Sequence, residues 1–151
     1  MPKTIISDTS CLILLDKIGE LEILNKLFGI VITTPEVADE FGQTLPFWLK
    51  IRSPKNKNYQ SIIEASVDRG EASAIALAID LGNCLLIIDN LKARKFADQL
   101  GIPVVGTLGV ILTGKLKGII PEVKPVLSKI KATNFRINPN LELLILSKAG
   151  E

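Results

Sequence analysis

Four acidic residues carry the chemistry that this chain offers: Asp8, Glu40, Glu71 and Asp89. Asp8 follows Thr4-Ile5-Ile6-Ser7, and Asp89 follows Cys84-Leu85-Leu86-Ile87-Ile88. Both apolar runs read as buried strands. In open α/β sheets, ligands bind just beyond the carboxyl ends of the strands. Carboxylates gathered there repel one another: two of them ~5 Å apart at an effective dielectric of ~20 cost roughly 3 kcal/mol. A hard divalent cation relieves that repulsion, and Mg²⁺ or Mn²⁺ favours such all-oxygen sites. The chemistry this points to is metal-dependent cleavage of a phosphodiester. The cation would polarise the ester and lower the pKa of an attacking water.

Each acid also has a plainer account. Asp8-Thr9-Ser10 is a cluster of helix-capping residues. Glu40, beside Asp39, fits a solvated helix face, and Asp39 competes for any role given to Glu40. Glu71 follows Gly70 at a helix start, where an anion gains ~0.3–1 kcal/mol from the helix dipole. Asp89-Asn90 is again a capping pair. Four residues could contact substrate: Ser10, Asn90, Arg94 and Thr107. Arg94 is placed to meet a phosphate or to brace a carboxylate. Thr107 lies in Gly106-Thr107-Leu108-Gly109, which is neither a dinucleotide nor a P-loop fingerprint. Lys50, Arg52, Lys55 and Lys57 read as a solvated basic loop, with RNA contact the minority reading.

Composition narrows the classes. With 151 residues and 47% hydrophobic content, the chain can bury one good core. Its net charge of +2 gives no overall basic field, so a nucleic-acid site must be a local patch. There is no histidine, which excludes His-based triads, His zinc ligands and His general bases. Cys11 and Cys84 sit in apolar runs without a CxxC spacing and read as buried thiols. No signal peptide is visible, and no apolar run approaches the ~20 residues of a membrane span. The expectation is a soluble, cytoplasmic protein with no membrane partner.

The elements that must position the acids alternate. Strands are expected at Lys3–Ser7, Ile30–Thr33, Cys84–Ile88 and Ile102–Val105. Helices are expected at Ser10–Ile18, Leu21–Phe28, from Pro35 onward, Tyr59–Arg69, Glu71–Leu81 and Leu91–Leu100. A further helix opens at Thr107 or Leu108 and runs to Leu116. Pro121–Lys131 and a stretch containing Leu141, Leu144, Ile145 and Lys148 read as amphipathic helices. Gly70 is expected to separate two helices. Gln43–Asn58 reads as a loop with a short strand or turn. Alternating strands and helices imply a parallel sheet of four to five strands covered on both faces. The expected architecture is a single α/β domain over 1–151, with a core of about 3–117 and a C-terminal helical extension of about 119–151.

At this point the chain resembles the PIN-domain proteins. The matching pieces are Ile5-Ile6-Ser7-Asp8-Thr9-Ser10, Pro35 to Glu40, Gly70 to Ala78 and Leu86-Ile87-Ile88-Asp89-Asn90, in that order, within a span of roughly Thr4 to Gly114. The Gly106–Gly109 element suggests a poorly characterised prokaryotic branch. The resemblance implies a three-layer α/β/α Rossmann-like fold and Mg²⁺- or Mn²⁺-dependent cleavage of single-stranded RNA. It also implies the toxin role in a toxin–antitoxin pair, with an antitoxin protein as partner. Asp8, Glu40, Glu71 and Asp89 match the family's acidic positions, and Ser10 its small polar residue. Many relatives carry a further Asp soon after the one matching Asp89. Here Asn90 stands there instead, and an Asn carbonyl can ligate a metal but brings no charge.

Other classes fit less well. A receiver-like signalling domain or a D-x-D phosphotransferase would want paired acids after the first strand, where this chain has Asp8-Thr9-Ser10. The main alternative is a non-catalytic PIN-like module binding RNA or protein. The apolar helices near Val123–Ile130 and Leu141–Ile145 suggest a homodimer interface or an antitoxin-binding groove.

Overall fold

The structure is a computed structural model that describes residues 3–151. Five short strands, β1 (Thr4–Ser7), β2 (Val31–Thr33), β3 (Leu49–Ile51), β4 (Cys84–Ile87) and β5 (Val104–Val105), form one sheet. Its order is β3-β2-β1-β4-β5, and every pairing is parallel. Among the described residues nine helices surround it: α1 (Thr9–Lys17), α2 (Glu22–Phe28), α3 (Pro35–Phe41), α4 (Lys57–Ile63), α5 (Arg69–Leu81), α6 (Leu91–Gln99), α7 (Thr107–Leu116), α8 (Lys124–Lys131) and α9 (Pro139–Lys148). The architecture is the three-layer α/β/α sandwich that the alternating pattern implies.

Side chains on a strand alternate between its faces, and the two cores follow that period. Ile5 and Ile87 pack with α1, α2, α7 and α8, and with Ile145 of α9. Ile6, Leu86 and Ile88 pack on the opposite face against α5 and α6. From Glu71 to Ala78, α5 is buried without interruption. Its alanines let it lie close against the sheet.

The short element expected within Gln43–Asn58 proves to be a strand, and two other expectations are corrected. Leu49–Ile51 becomes the edge strand β3, paired with β2 through Val31–Leu49 and Thr33–Ile51. Trp48 anchors it, fully buried, with its indole N–H donating to Glu22 Oε1 at 3.3 Å. The helix expected over Tyr59–Arg69 is instead capped by Asn56 and ends at Ile63. Gly70 does not divide two helices. It lies within the first turn of α5, whose N-cap is Asp68. The remaining boundaries agree to within a few residues, as helix ends ordinarily do.

The strand order decides where the acids can meet. β1 lies at the centre, between β2 and β4, with Ser7 opposite Ile87. The Asp8 N–H donates to the Ile87 carbonyl at 2.9 Å, extending the ladder by one rung. Asp8 and Asp89 therefore leave the same carboxyl edge from neighbouring strands.

Candidate active site at the carboxyl edge of the sheet

Asp8 occupies the N-cap position of α1, yet its side chain makes no capping hydrogen bond. It is 3% exposed, and its Oδ1 has no hydrogen-bond partner. A buried carboxylate without a partner is expensive, because the charged form loses its hydration. Burial pushes Asp8 up to about 7; the Thr9 backbone N–H opposes that rise, while the charges of Glu71, Asp68 and Glu40 add to it.

Glu40 is held from two sides. Thr34 caps α3 by accepting the Val37 N–H at 3.2 Å, and Pro35 opens the helix. Glu40 rides on the last turn of α3, where its Oε1 accepts the Thr9 hydroxyl at 2.8 Å. Gly70 makes room for it: a β-carbon there would overlap the Glu40 carboxylate and stand 3.3 Å from Thr9 Oγ1. Asp39 is exposed and takes no part in these contacts. The Thr34 and Ser73 hydroxyls, both fully buried, lie 2.6 Å apart and tie the start of α3 to α5.

Glu71 is fixed by a reciprocal cap. Asp68 Oδ1 accepts the Glu71 N–H at 2.8 Å, and Glu71 Oε1 accepts the Asp68 N–H at 3.2 Å. This is the capping box, two orphan helix donors satisfied at once. Burial raises the Glu71 carboxyl; the Asp68 backbone bond opposes the rise, and the Asp68 and Glu40 charges add to it. The Asp68-Arg69-Gly70-Glu71 spacing is visible in the sequence, but Asp68 and Thr9 were not among the expected site residues.

Asp89 is oriented differently from the other three. Its Oδ1 accepts the Thr107 backbone N–H at 2.7 Å, and its Oδ2 accepts the Thr107 hydroxyl at 2.6 Å. Both oxygens thus hold the start of α7. Thr107, expected to contact phosphate, is fully buried as this partner. Asn90, expected to offer its carbonyl, instead caps α6 with it, accepting the Ala93 N–H at 3.0 Å. Its side chain still borders a cleft shared with Asp68, Glu71 and Lys92. Arg94 stands beside Asp89 at Gly106: a β-carbon on Gly106 would lie 2.7 Å from Arg94 Nη1 and 3.0 Å from Asp89 Oδ1. Ser10, expected to contact substrate, is exposed and borders a separate cleft with Ile13, Lys17 and Phe135, while the neighbouring Thr9 bonds Glu40.

Asp8, Glu40, Glu71 and Asp68 thus share one electrostatic neighbourhood, while Asp89 is engaged by α7. Among the described residues, no three acids or thiols are drawn close enough to form a ready coordination group. The donor set nonetheless suits a hard cation. An orphaned buried carboxylate oxygen and mutually repelling carboxylates are relieved by one positive charge, and all the donors are oxygen. No helix among the described residues is long and apolar enough to cross a membrane.

With this geometry in place, comparison adds one finding. A family model described as a PIN domain matches residues 4–151, including the C-terminal helices. No curated protein matches the chain.

Proposed function

Because the chain belongs to the PIN-domain family, whose fold is of the nuclease type, we propose that it is a metal-dependent endoribonuclease acting on single-stranded RNA. One observation carries this reading: Asp8, buried at the carboxyl edge of the central strand, keeps an unpartnered oxygen within the field of other acids. A bound cation would offset the cost of ionising that buried acid.

Asp8, Glu40 and Glu71 would hold Mg²⁺ or Mn²⁺, and Asp89 would join them on release from Thr107. When bound, the cation supplies Lewis-acid polarisation of the scissile phosphodiester and acidifies the attacking water. The chain's own residues set the stage for this. The Thr9 hydroxyl aims Glu40, and the Asp68 N–H aims Glu71. Such hydrogen-bonded partners fix the orientation of metal ligands. Arg94, beside Asp89, would take up negative charge on the phosphate.

Within a cell, we place this activity in the toxin of a toxin–antitoxin pair. A gene for a small DNA-binding protein next to this one would support that role. So would growth arrest on expression that the neighbour's product relieves.

A second reading, a non-catalytic RNA- or protein-binding module, draws on a specific observation. Both Asp89 oxygens are spent on Thr107, and Asn90 is spent on its cap. One experiment separates the two. End-labelled single-stranded RNA is incubated with the protein in Mn²⁺, Mg²⁺ or EDTA, beside Asp8→Asn and Asp89→Asn variants prepared identically. Metal-dependent cleavage lost in both variants supports the nuclease. Cleavage retained by Asp8→Asn, free of contaminating nuclease, removes Asp8 from the chemistry. No cleavage in either metal favours the binding module.

A further inference from the structure

A cleft of about 680 Å³ opens beside Asp89, where β4 and β5 end. One wall comes from α6, through Leu91 and Arg94. The far wall comes from the C-terminal segment, through Arg136, Leu141 and Leu144. The volume falls in the range of sites that enclose a small organic ligand, enough for one nucleotide with its phosphate.

Its chemistry is divided. Among the described residues, neither the Arg94 nor the Arg136 guanidinium makes a hydrogen bond or ion pair. The acid in the lining, Asp89, has both oxygens committed to Thr107. Two uncommitted guanidinium groups in one cleft suit a polyanion, since guanidinium binds phosphate through paired N–H donors. Leu91, Leu141 and Leu144 are 74%, 41% and 49% exposed, offering apolar surface to a flat base. Phe135 borders this cleft and also the one containing Ser10 and Lys17, so the two grooves adjoin.

We propose that this cleft is a nucleotide subsite for the RNA strand beside the cleaved bond. Arg94 and Arg136 hold its phosphate, and Leu91, Leu141 and Leu144 take the face of its base. The assignment rests on the ribonuclease reading above. It makes the C-terminal segment part of the substrate site rather than a cap on the domain. A protein helix would use the leucines but would need acids placed to meet both arginines, whereas every nucleotide brings a phosphate, so the charge favours RNA.

The test uses a fluorescein-labelled, mixed-sequence single-stranded RNA dodecamer and the full chain in EDTA, read by fluorescence anisotropy. Arg136→Ala should weaken binding about tenfold at low salt and reduce the salt slope by about 0.7. Leu144→Ala should weaken it about threefold with the slope unchanged. Both positions are exposed enough that melting temperatures should stay close to wild type. Arg136→Lys should fall between, and Lys26→Ala, on exposed α2 surface, should bind normally. In Mn²⁺, Arg136→Ala should raise KM with kcat nearly constant.

Wild-type affinity and salt slope in both Arg136→Ala and Leu144→Ala would overturn the subsite and turn the cleft over to a protein partner. Metal-dependent cleavage alongside that result would leave the nuclease standing. Arg136-dependent binding without cleavage in any metal would do the reverse. Failure of the wild-type protein to bind RNA would also overturn the subsite.

Discussion

The Glu40 carboxylate fills the space that a side chain at position 70 would occupy. Glu40 is at the end of a flexible chain on an exposed turn, so an alanine at 70 can push it aside cheaply. Loss of the contact is offset by the better helix propensity of alanine, about 1 kcal/mol. Gly70→Ala should therefore change unfolding free energy by less than about 1 kcal/mol. It should still break the Thr9–Glu40 hydrogen bond and weaken Mn²⁺ binding about tenfold, the scale seen when a ligand's orienting partner is lost. Titration calorimetry beside a melting curve checks both halves. Weaker metal binding that merely tracks a lower melting temperature would mean that Glu40 is not a ligand.

Asp8 predicts an unusual dependence of stability on pH. Its carboxyl is raised from the ordinary 3.8 to about 7 by burial, so the folded state holds this proton more tightly than the unfolded state. The protonated acid's stabilising effect is complete below pH 4 and is lost as pH rises towards 7. Above that, the buried charge costs about 4 kcal/mol, since each tenfold change in proton affinity is worth roughly 1.4 kcal/mol. In EDTA, Asp8→Asn should match wild type at pH 4 and melt higher at pH 8, at about 2–4 °C per kcal/mol for a chain of this size. A difference independent of pH would contradict the buried charge.

Metal should act on the same proton. At pH 6, where Asp8 is largely protonated, Mn²⁺ binding should release protons, and the release should fade by pH 8. Calorimetry in two buffers of different ionisation enthalpy measures this directly. Mn²⁺ at a hundred times its Kd should stabilise wild type by about 2.7 kcal/mol. Asp8→Asn should show neither the stabilisation nor the release.

Thr107 holds Asp89 through a hydroxyl buried away from water. Thr107→Val keeps the shape and the backbone N–H but strips one carboxylate oxygen of its partner. That should cost about 1–3 kcal/mol in the metal-free protein. Thr107→Ser should retain most of the stability. Excess Mn²⁺ should rescue the valine variant more than wild type, because the freed oxygen can ligate. Equal stabilisation of both by Mn²⁺ would place Asp89 outside the metal site.

Much of the scaffold was legible in the chain because apolar runs such as Cys84–Ile88 are buried on both faces and end abruptly in polar residues. β3 was less clear, because Leu49-Lys50-Ile51 is too short and mixed to carry a period, and its pairing with β2 decides the matter. Asp8, Glu40 and Glu71 could be named as acids in order, but which hydroxyl would meet Glu40 depended on the phase of α1. It is Thr9, at the start of that helix, that makes the contact. The Asp68–Glu71 box was readable from spacing alone. Gly70 within it serves contact with Glu40 rather than helix termination. The engagement of Asp89 by Thr107 depends on how α7 enters the sheet edge, which no local pattern encodes.

The strand order also constrains the chain during synthesis. β1 is made first but lies at the centre, with Thr4 against Cys84 and Ser7 against Ile87. Until β4 emerges, the first strand has a free edge, and Asp8 lacks the carbonyl rung that fixes its backbone. Contacts so distant in sequence form late in folding. An incomplete chain would therefore leave Asp8 on an open edge, and the acidic edge would be completed late, once β4 docks beside β1.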